Sequence, residues 1–201
     1  MKKIVVIGVI FAAVLVGAYS LSEFIARQIY PQSASSQFQL GSPFSLVAHT
    51  GETITEQAFE GTPSAVFFGF THCPEVCPTT MNDLTLLRDR LRVAGGDLNI
   101  FFITVDPERD TVAALKDYIP YFGGGITGIT GTPDAVHELA RKWGVFWQKN
   151  NVTEQGYNID HTATVFLLDK NGQFKGTIDF HESEEIAYKK LERLAGLDKQ
   201  S

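Results

Sequence analysis

Ala65-Val66-Phe67-Phe68-Gly69-Phe70-Thr71-His72-Cys73-Pro74-Glu75-Val76-Cys77-Pro78 joins an unbroken apolar run to the only 2 cysteines of the chain. The run, Ala65–Phe70, has the pattern of a strand buried on both faces, and such strands belong to sheets covered by helices. Downstream, Met81, Leu84, Leu87 and Leu91 recur at helical spacing. This predicts a helix from about Pro78 to Val93, stopped by Gly95-Gly96. Both thiols therefore fall at a strand-to-helix junction, at or just before a helix N-terminus. Free N–H groups and the positive end of the helix dipole there favour thiolate over thiol. The Cys-x-x-x-Cys spacing would set both sulfurs on one face of a single helical turn. Such a pair can bind a soft metal or cycle between dithiol and disulfide. A purely structural disulfide is the weaker reading, because a bond across so small a loop stabilises little.

A second apolar run, Leu98–Val105, predicts another central, parallel strand. It ends in the polar turn Asp106-Pro107-Glu108-Arg109-Asp110-Thr111, which leads to a helix through Tyr118. Asp106 and Arg109 suit a buried or partner-facing charge pair, and Asp110-Thr111 suits a helix cap. Gly123–Gly131 contains a short strand; no Lys-Ser/Thr follows it and no Gly-x-Gly-x-x-Gly opens a helix, so it is not a phosphate loop. Thr132 and Pro133 have the chemistry of an N-cap and first helical position, with Val136, Leu139, Ala140 and Trp143 facing inward. Val145–Gln148 reads as a short strand and Lys149–Asn158 as an exposed polar loop or hairpin. His161–Asp169 is the next strand, and Asn171-Gly172 turns it into the return strand Phe174–Ile178. A last amphipathic helix runs from about Ser183 to Leu194. Before the cysteine strand, Phe38–Val47 leads in, Gly51–Thr55 turns into a short strand, and Glu56–Phe59 forms a helical turn. The alternation predicts an α/β domain of three layers on a central mixed sheet, with Cys73 and Cys77 at the carboxyl end of a central strand.

Lys2 and Lys3 precede Ile4–Ser22, a stretch of 19 positions without a charge. As a helix it would be about 28 Å long, close to the hydrocarbon thickness of a bilayer. The positive-inside rule keeps the N-terminus cytoplasmic and sends the remainder across. A cleaved signal peptide competes, with Ser20-Leu21-Ser22 as a weak processing site, but the run exceeds a usual signal core. No cysteine near its end supports a lipoprotein anchor. The expected layout is a cytoplasmic tip over 1–3, a single transmembrane helix over 4–22, a polar linker over 23–37, the domain over 38–197 and a tail over 198–201. Without Lys2, Lys3, Arg27 and Glu23, the 17 basic and 23 acidic residues become 14 and 22, a formal charge of −8. That excess argues against nucleic acid and is compatible with a basic partner or cationic ligand. Outside the membrane the cysteines would meet an oxidising compartment, which permits a disulfide.

Of the 5 histidines, His49, His137 and His181 read as ordinary exposed residues. His72 adjoins Cys73, but neighbouring side chains on an extended segment point apart. His161 stands between a polar loop and an apolar strand, and spacing alone cannot bring it to the cysteines.

Gly69–Pro78 resembles the signature of the Sco/SenC family of copper-binding assembly proteins. Val105–Thr111 and Asp160-His161-Thr162 resemble that family's other two motifs and occur in the same order. The likeness extends over about Phe38–Leu194. It implies a thioredoxin-like fold and a copper site formed by Cys73, Cys77 and His161, holding Cu(I) or Cu(II). It also implies a membrane-anchored copper chaperone on the periplasmic side of a bacterial inner membrane. Its partner would be cytochrome c oxidase subunit II, whose binuclear copper centre it helps assemble; other copper chaperones or a thiol reductant are further partners. In the family, the loop corresponding to about Lys149–Asp160 is mobile and brings the histidine to the metal. From the apolar pattern, His161 is expected to begin a strand in the same sheet as Ala65–Phe70. The alternative is a thiol-disulfide reductase with Cys73 and Cys77 as the redox pair, although thioredoxin-type reductases usually carry Cys-x-x-Cys. A peroxiredoxin-like peroxidase would need Thr or Ser where Phe70 stands.

Overall fold

The computed structural model describes residue 40, residues 42–153 and residues 156–198. The expected anchor and linker lie outside the described residues. Among the described residues no helix is long and apolar enough to cross a membrane. In chain order the elements are β1 (Ser45–Ala48), β2 (Thr53–Thr55), β3 (Ser64–Gly69), α1 (Val76–Val93), β4 (Asn99–Thr104) and α2 (Val112–Tyr118). There follow β5 (Ile126–Thr130), α3 (Pro133–Lys142), β6 (Trp147–Thr153), β7 (Gly156–His161), β8 (Val165–Leu168), β9 (Phe174–Ile178) and α4 (Glu184–Leu194).

The apolar run around Phe67 is β3, buried at every position. It pairs in parallel with β4, as predicted, and β4 pairs in parallel with β5. On its other side β3 pairs antiparallel with β8, and the Asn171-Gly172 turn returns the chain as β9. The result is a mixed sheet of 7 strands in the order β2-β1-β5-β4-β3-β8-β9. Alternation along β3 sends successive side chains to opposite faces. Phe68 packs 5.5 Å from Trp143, the residue that closes α3, and 6.1 Å from Phe166. Phe59, from the short 3-10 turn Glu56–Phe59, joins this cluster 5.8 Å from Trp143. Phe67 and Gly69 face the other way, where α1 lies and Cys77 packs against them. Helical cover on both faces makes the three expected layers.

Two expectations change. The helix predicted from Pro78 begins at Val76, so Cys77 belongs to its first turn and only Cys73 precedes it. Proline delimits a helix start loosely, because the first-turn N–H groups have no intrahelical partner in any case. The spacing argument that put both sulfurs on one helical face therefore fails, since Cys73 is not helical. His161 does not begin a strand of the main sheet either. It ends β7, which pairs with β6 in a separate sheet of 2 strands, with His161 opposite Trp147. The pairing continues as Thr162 N–H donates to Phe146 O at 3.0 Å, and the main-sheet strand starts only at Val165. The polar stretch after Lys149 is thus a hairpin.

Gly69 is a point of close approach between β3 and α1. A Cβ there would stand 2.8 Å from Phe102 Cε2, 2.9 Å from Cys77 Sγ and 3.1 Å from Phe67 Cε1. Gly69→Ala should cost about 1–3 kcal/mol by overpacking, read as a lower midpoint in denaturant at constant slope. An unchanged midpoint would show that α1 can retreat without loss.

Candidate metal centre

The cysteine loop is built from its backbone outward. Thr71 N–H donates to Asp110 Oδ2 at 3.0 Å and Thr71 Oγ1 donates to Asp110 Oδ1 at 2.6 Å. Thr104 Oγ1 donates to the same carboxylate at 2.6 Å. Asp110 is fully buried, and burial raises its carboxyl above the usual range while these donors oppose the rise. Cys73 then closes a turn by donating its N–H to Phe70 O at 3.2 Å. Pro74 and Pro78 restrict the backbone on either side of the helix start.

Within the first turn of α1, Cys77 N–H donates to Cys73 Sγ at 3.4 Å. Cys73 is half-buried and Cys77 is buried. The Cys73 thiol is lowered to about 4, chiefly by a hydrogen bond from the Cys77 side chain, with His161 and the helix-terminal N–H adding to it against the effect of burial. The same sulfur–sulfur contact, together with burial, pushes Cys77 up. The arrangement favours the thiolate at Cys73 and the thiol at Cys77.

His161 Nδ1 lies 2.9 Å from Thr162 O. A carbonyl only accepts, so Nδ1 carries a proton, and in the neutral ring the Nε2 lone pair is free. That Nε2 stands 3.4 Å from Cys77 Sγ. Phe67 and Phe70 present edges to the imidazole at 6.1 and 5.6 Å. One ligand atom from each of Cys73, Cys77 and His161 lies within 4.8 Å of the others, close enough for a single ion to reach all three. Cys73 and His161 line a recess of ≈ 290 Å³ together with Pro74, Glu75 and Asp160, and Cys77 lies buried behind them.

The remaining histidines are elsewhere. His72 is exposed and sits 3.0 Å from Thr71 Oγ1. His181 is exposed beside Phe180. His49 and His137 are less exposed than expected. His49 Nδ1 accepts from Gly128 N–H at 3.1 Å, whereas His137 stacks on Trp147 at 4.7 Å with Nε2 3.2 Å from Val105 O. In the polar turn after β4 the two competing readings, a charge pair and a helix cap, occur side by side, with Thr111 rather than Asp110 as the cap. Asp106 and Arg109 form an ion pair, and Thr111 caps α2 by accepting from Ala114 N–H at 3.2 Å. Sequence reasoning missed the grip of Asp110 on Thr71 and the role of Tyr157. Asp110 lies in the turn that follows a central strand, which marks a candidate site region, but neither its burial nor the role of Tyr157 carried a local signal.

Among known proteins, the SCO1/SenC family model matches residues 32–196. The chain belongs to this family. It is 33% identical over 175 residues to the SCO2-like protein RP587 of Rickettsia prowazekii, covering 83% of this chain and 85% of that one. It is 38% identical over 138 residues to the human mitochondrial SCO1 homolog, covering 67% of this chain and 46% of the relative. The chain thus spans about half the length of the human SCO1 homolog. Among solved structures, Arabidopsis thaliana ScoI with copper bound matches at a TM-score of 0.74 and 30% identity, over 77% of this chain and 97% of that one. Yeast Sco1 with copper bound matches at 0.73 and 33%, over 81% and 91%. The seven-stranded mixed sheet with its helical covers is therefore the fold of the SCO1/SenC proteins.

The inequality of the thiols is measurable. In the reduced protein, iodoacetamide should label Cys73 before Cys77, at a rate changing less than about twofold between about pH 6 and pH 8, because Cys73 is already thiolate throughout. A climb of about tenfold per pH unit, as for a thiol with a pKa of about 8.5, would contradict the assignment.

Proposed function

We propose that this protein is a copper chaperone that binds copper through Cys73, Cys77 and His161 and helps assemble the binuclear copper centre of cytochrome c oxidase subunit II. The reading is carried by the convergence of two sulfurs and an imidazole nitrogen within 4.8 Å of one another. Soft sulfur with one nitrogen suits Cu(I) and, with the imidazole engaged, Cu(II). Structural zinc normally takes four protein ligands, and the group here offers three. A short ligand set on an open recess also suits cargo that must leave. Binding requires both sulfurs as thiolates, so Cys77 gives up its proton as copper enters, and an intramolecular disulfide between Cys73 and Cys77 excludes the metal. The Arabidopsis and yeast relatives solved with copper bound support the choice of metal.

In this proposal residues 4–22 anchor the chain in a bacterial inner membrane, 23–37 form the linker, and 38–197 work in the periplasm. A reporter fused after Ser201 should then be active only outside the cytoplasm; cytoplasmic activity would sink the anchor.

The different states of the two thiols favour a second role, as a thiol-disulfide reductase for the cysteines of the same subunit. The Cys73 thiolate attacks a substrate disulfide, forming a mixed disulfide and releasing one substrate thiolate, which takes the proton from Cys77. The Cys77 thiolate then attacks Cys73 Sγ, closing the intramolecular disulfide and releasing the second substrate sulfur as a thiolate. The substrate gains two electrons and this protein loses two.

His161→Ala separates the roles. The variant should keep most Cu(I) binding, lose the Cu(II) absorption band and fail in oxidase assembly, while Cys73→Ser or Cys77→Ser loses both oxidation states. Wild-type assembly by His161→Ala would leave the dithiol reaction as the function.

A further inference from the structure

The hairpin that carries His161 shares no ladder with the seven-stranded sheet that carries the cysteines. Main-chain pairing between sheets therefore does not set the 3.4 Å approach of His161 Nε2 to Cys77 Sγ. We infer that the turn Asp106–Asp110 sets it, by gripping the cysteine loop at one end and the hairpin at the other, with Tyr157 as the positioning residue for His161. This inference rests on the proposed copper ligands.

The turn is itself braced. Arg109 N–H and Asp110 N–H donate to Asp106 O at 3.1 and 2.8 Å, and Asp106 N–H donates to Thr104 Oγ1 at 2.8 Å. At its far end Asp110 holds Thr71, two residues before Cys73, through the Thr71 N–H and hydroxyl. At its near end the hold is on Tyr157, four residues before His161 on β7. Tyr157 OH donates to Asp106 Oδ1 at 2.7 Å, and Arg109 Nη1 donates to Tyr157 O at 2.9 Å. The Arg109 guanidinium also lies 3.7 Å from the Tyr157 ring centroid and 5.9 Å from that of Phe70. Phe70 in turn packs against the His161 ring. On β6, Lys149 pairs with Glu108 of the same turn and stands 4.4 Å from the Tyr157 ring centroid.

A buried carboxylate held by a cation and a phenol at once resists displacement, because moving either partner away removes a hydrogen bond from Asp106. Asp106 is 1% exposed, so water does not substitute for the phenol. Moving the hairpin away from the cysteines would break the Tyr157 contacts at both the hydroxyl and the carbonyl. The two halves of the ligand set are thus referred to one rigid reference.

The test compares Cu(I) and Cu(II) affinity in the full chain. Tyr157→Phe removes one O–H and leaves the Asp106–Arg109 pair in place. It should weaken Cu(II) by about tenfold, the lower end of the effect of losing an outer contact, while Cu(I) on the two sulfurs changes by less than about twofold. Arg109→Lys keeps the charge and loses the fork, and should reproduce or exceed that pattern. Thr71→Val, on the cysteine side of the turn, should weaken both oxidation states. Placed in a His161→Ala background, Tyr157→Phe should have no further effect on Cu(II). Wild-type Cu(II) affinity in Tyr157→Phe overturns the inference, as does an equal loss of both oxidation states accompanied by a lower melting temperature. If His161→Ala itself leaves Cu(II) unchanged, the ligand assignment falls and the register falls with it; if His161→Ala loses Cu(II) and Tyr157→Phe does not, only the register falls.

Discussion

The missing side chain at Gly69 sets how deeply α1 can sink onto the sheet. Cys77 Sγ occupies space that a Cβ at Gly69 would contest, 2.9 Å from where that atom would stand. This depth buries Cys77 while Cys73, in the turn ahead of the helix, stays half-exposed. The contact between the two sulfurs makes their acidities unequal, lowering Cys73 and raising Cys77, and the deeper burial of Cys77 adds to the difference. The sulfur beside solvent is the anion and the sulfur in the core keeps its proton. Two chemically identical residues, separated by three others, acquire different chemistry from their mutual contact and from one close backbone approach.

Two buried acids close together are satisfied in different ways, and the difference matches what each holds. Asp110 accepts hydrogen bonds from two hydroxyls and an amide, with His72 Nδ1 farther off at 3.9 Å, and burial raises its carboxyl. Asp106 faces the Arg109 cation and the Tyr157 hydroxyl. Neutral donors anchor the cysteine loop to the interior of the fold. The cation stands at the boundary with the hairpin, where Arg109 is still partly accessible, with 22% of its side chain exposed. Leaving either carboxylate unpaired would cost about 1–3 kcal/mol or more, so the turn is held by what it holds.

Much of this was legible from local pattern. The period-free apolar runs of β3 and β4, the Asn171-Gly172 turn, and the Thr132-Pro133 helix start all appear where their chemistry put them. These signals are local, because burial on both faces, a left-handed turn or a cap is written into neighbouring residues. The placement of His161 was not local. Residues 161–169 look like one apolar strand, yet the chain divides at Thr162–Thr164 between two sheets, and only the pairing of Trp147 with His161 shows it. The family resemblance put the histidine beside the cysteines, where it stands, whereas the apolar pattern put it on the wrong sheet. Tyr157 was illegible for the same reason. Its partners Asp106 and Arg109 lie 51 and 48 residues away, and nothing in a tyrosine on a polar hairpin announces a buried carboxylate.

The β6–β7 ribbon has one buried residue among those described, Ile159. A two-stranded ribbon with so little apolar burial is marginal by itself and opens locally at far lower free energy than the strands of a core. The sulfur half of the ligand set therefore shares the thermodynamic stability of the whole domain, and the imidazole half depends on the ribbon together with its hold on the Asp106–Asp110 turn. For a bound ion, the residence time is then uncoupled from the lifetime of the fold. The coordination sphere can fray from one side while the hydrophobic interior stays intact, so a cargo can be released without the carrier unfolding.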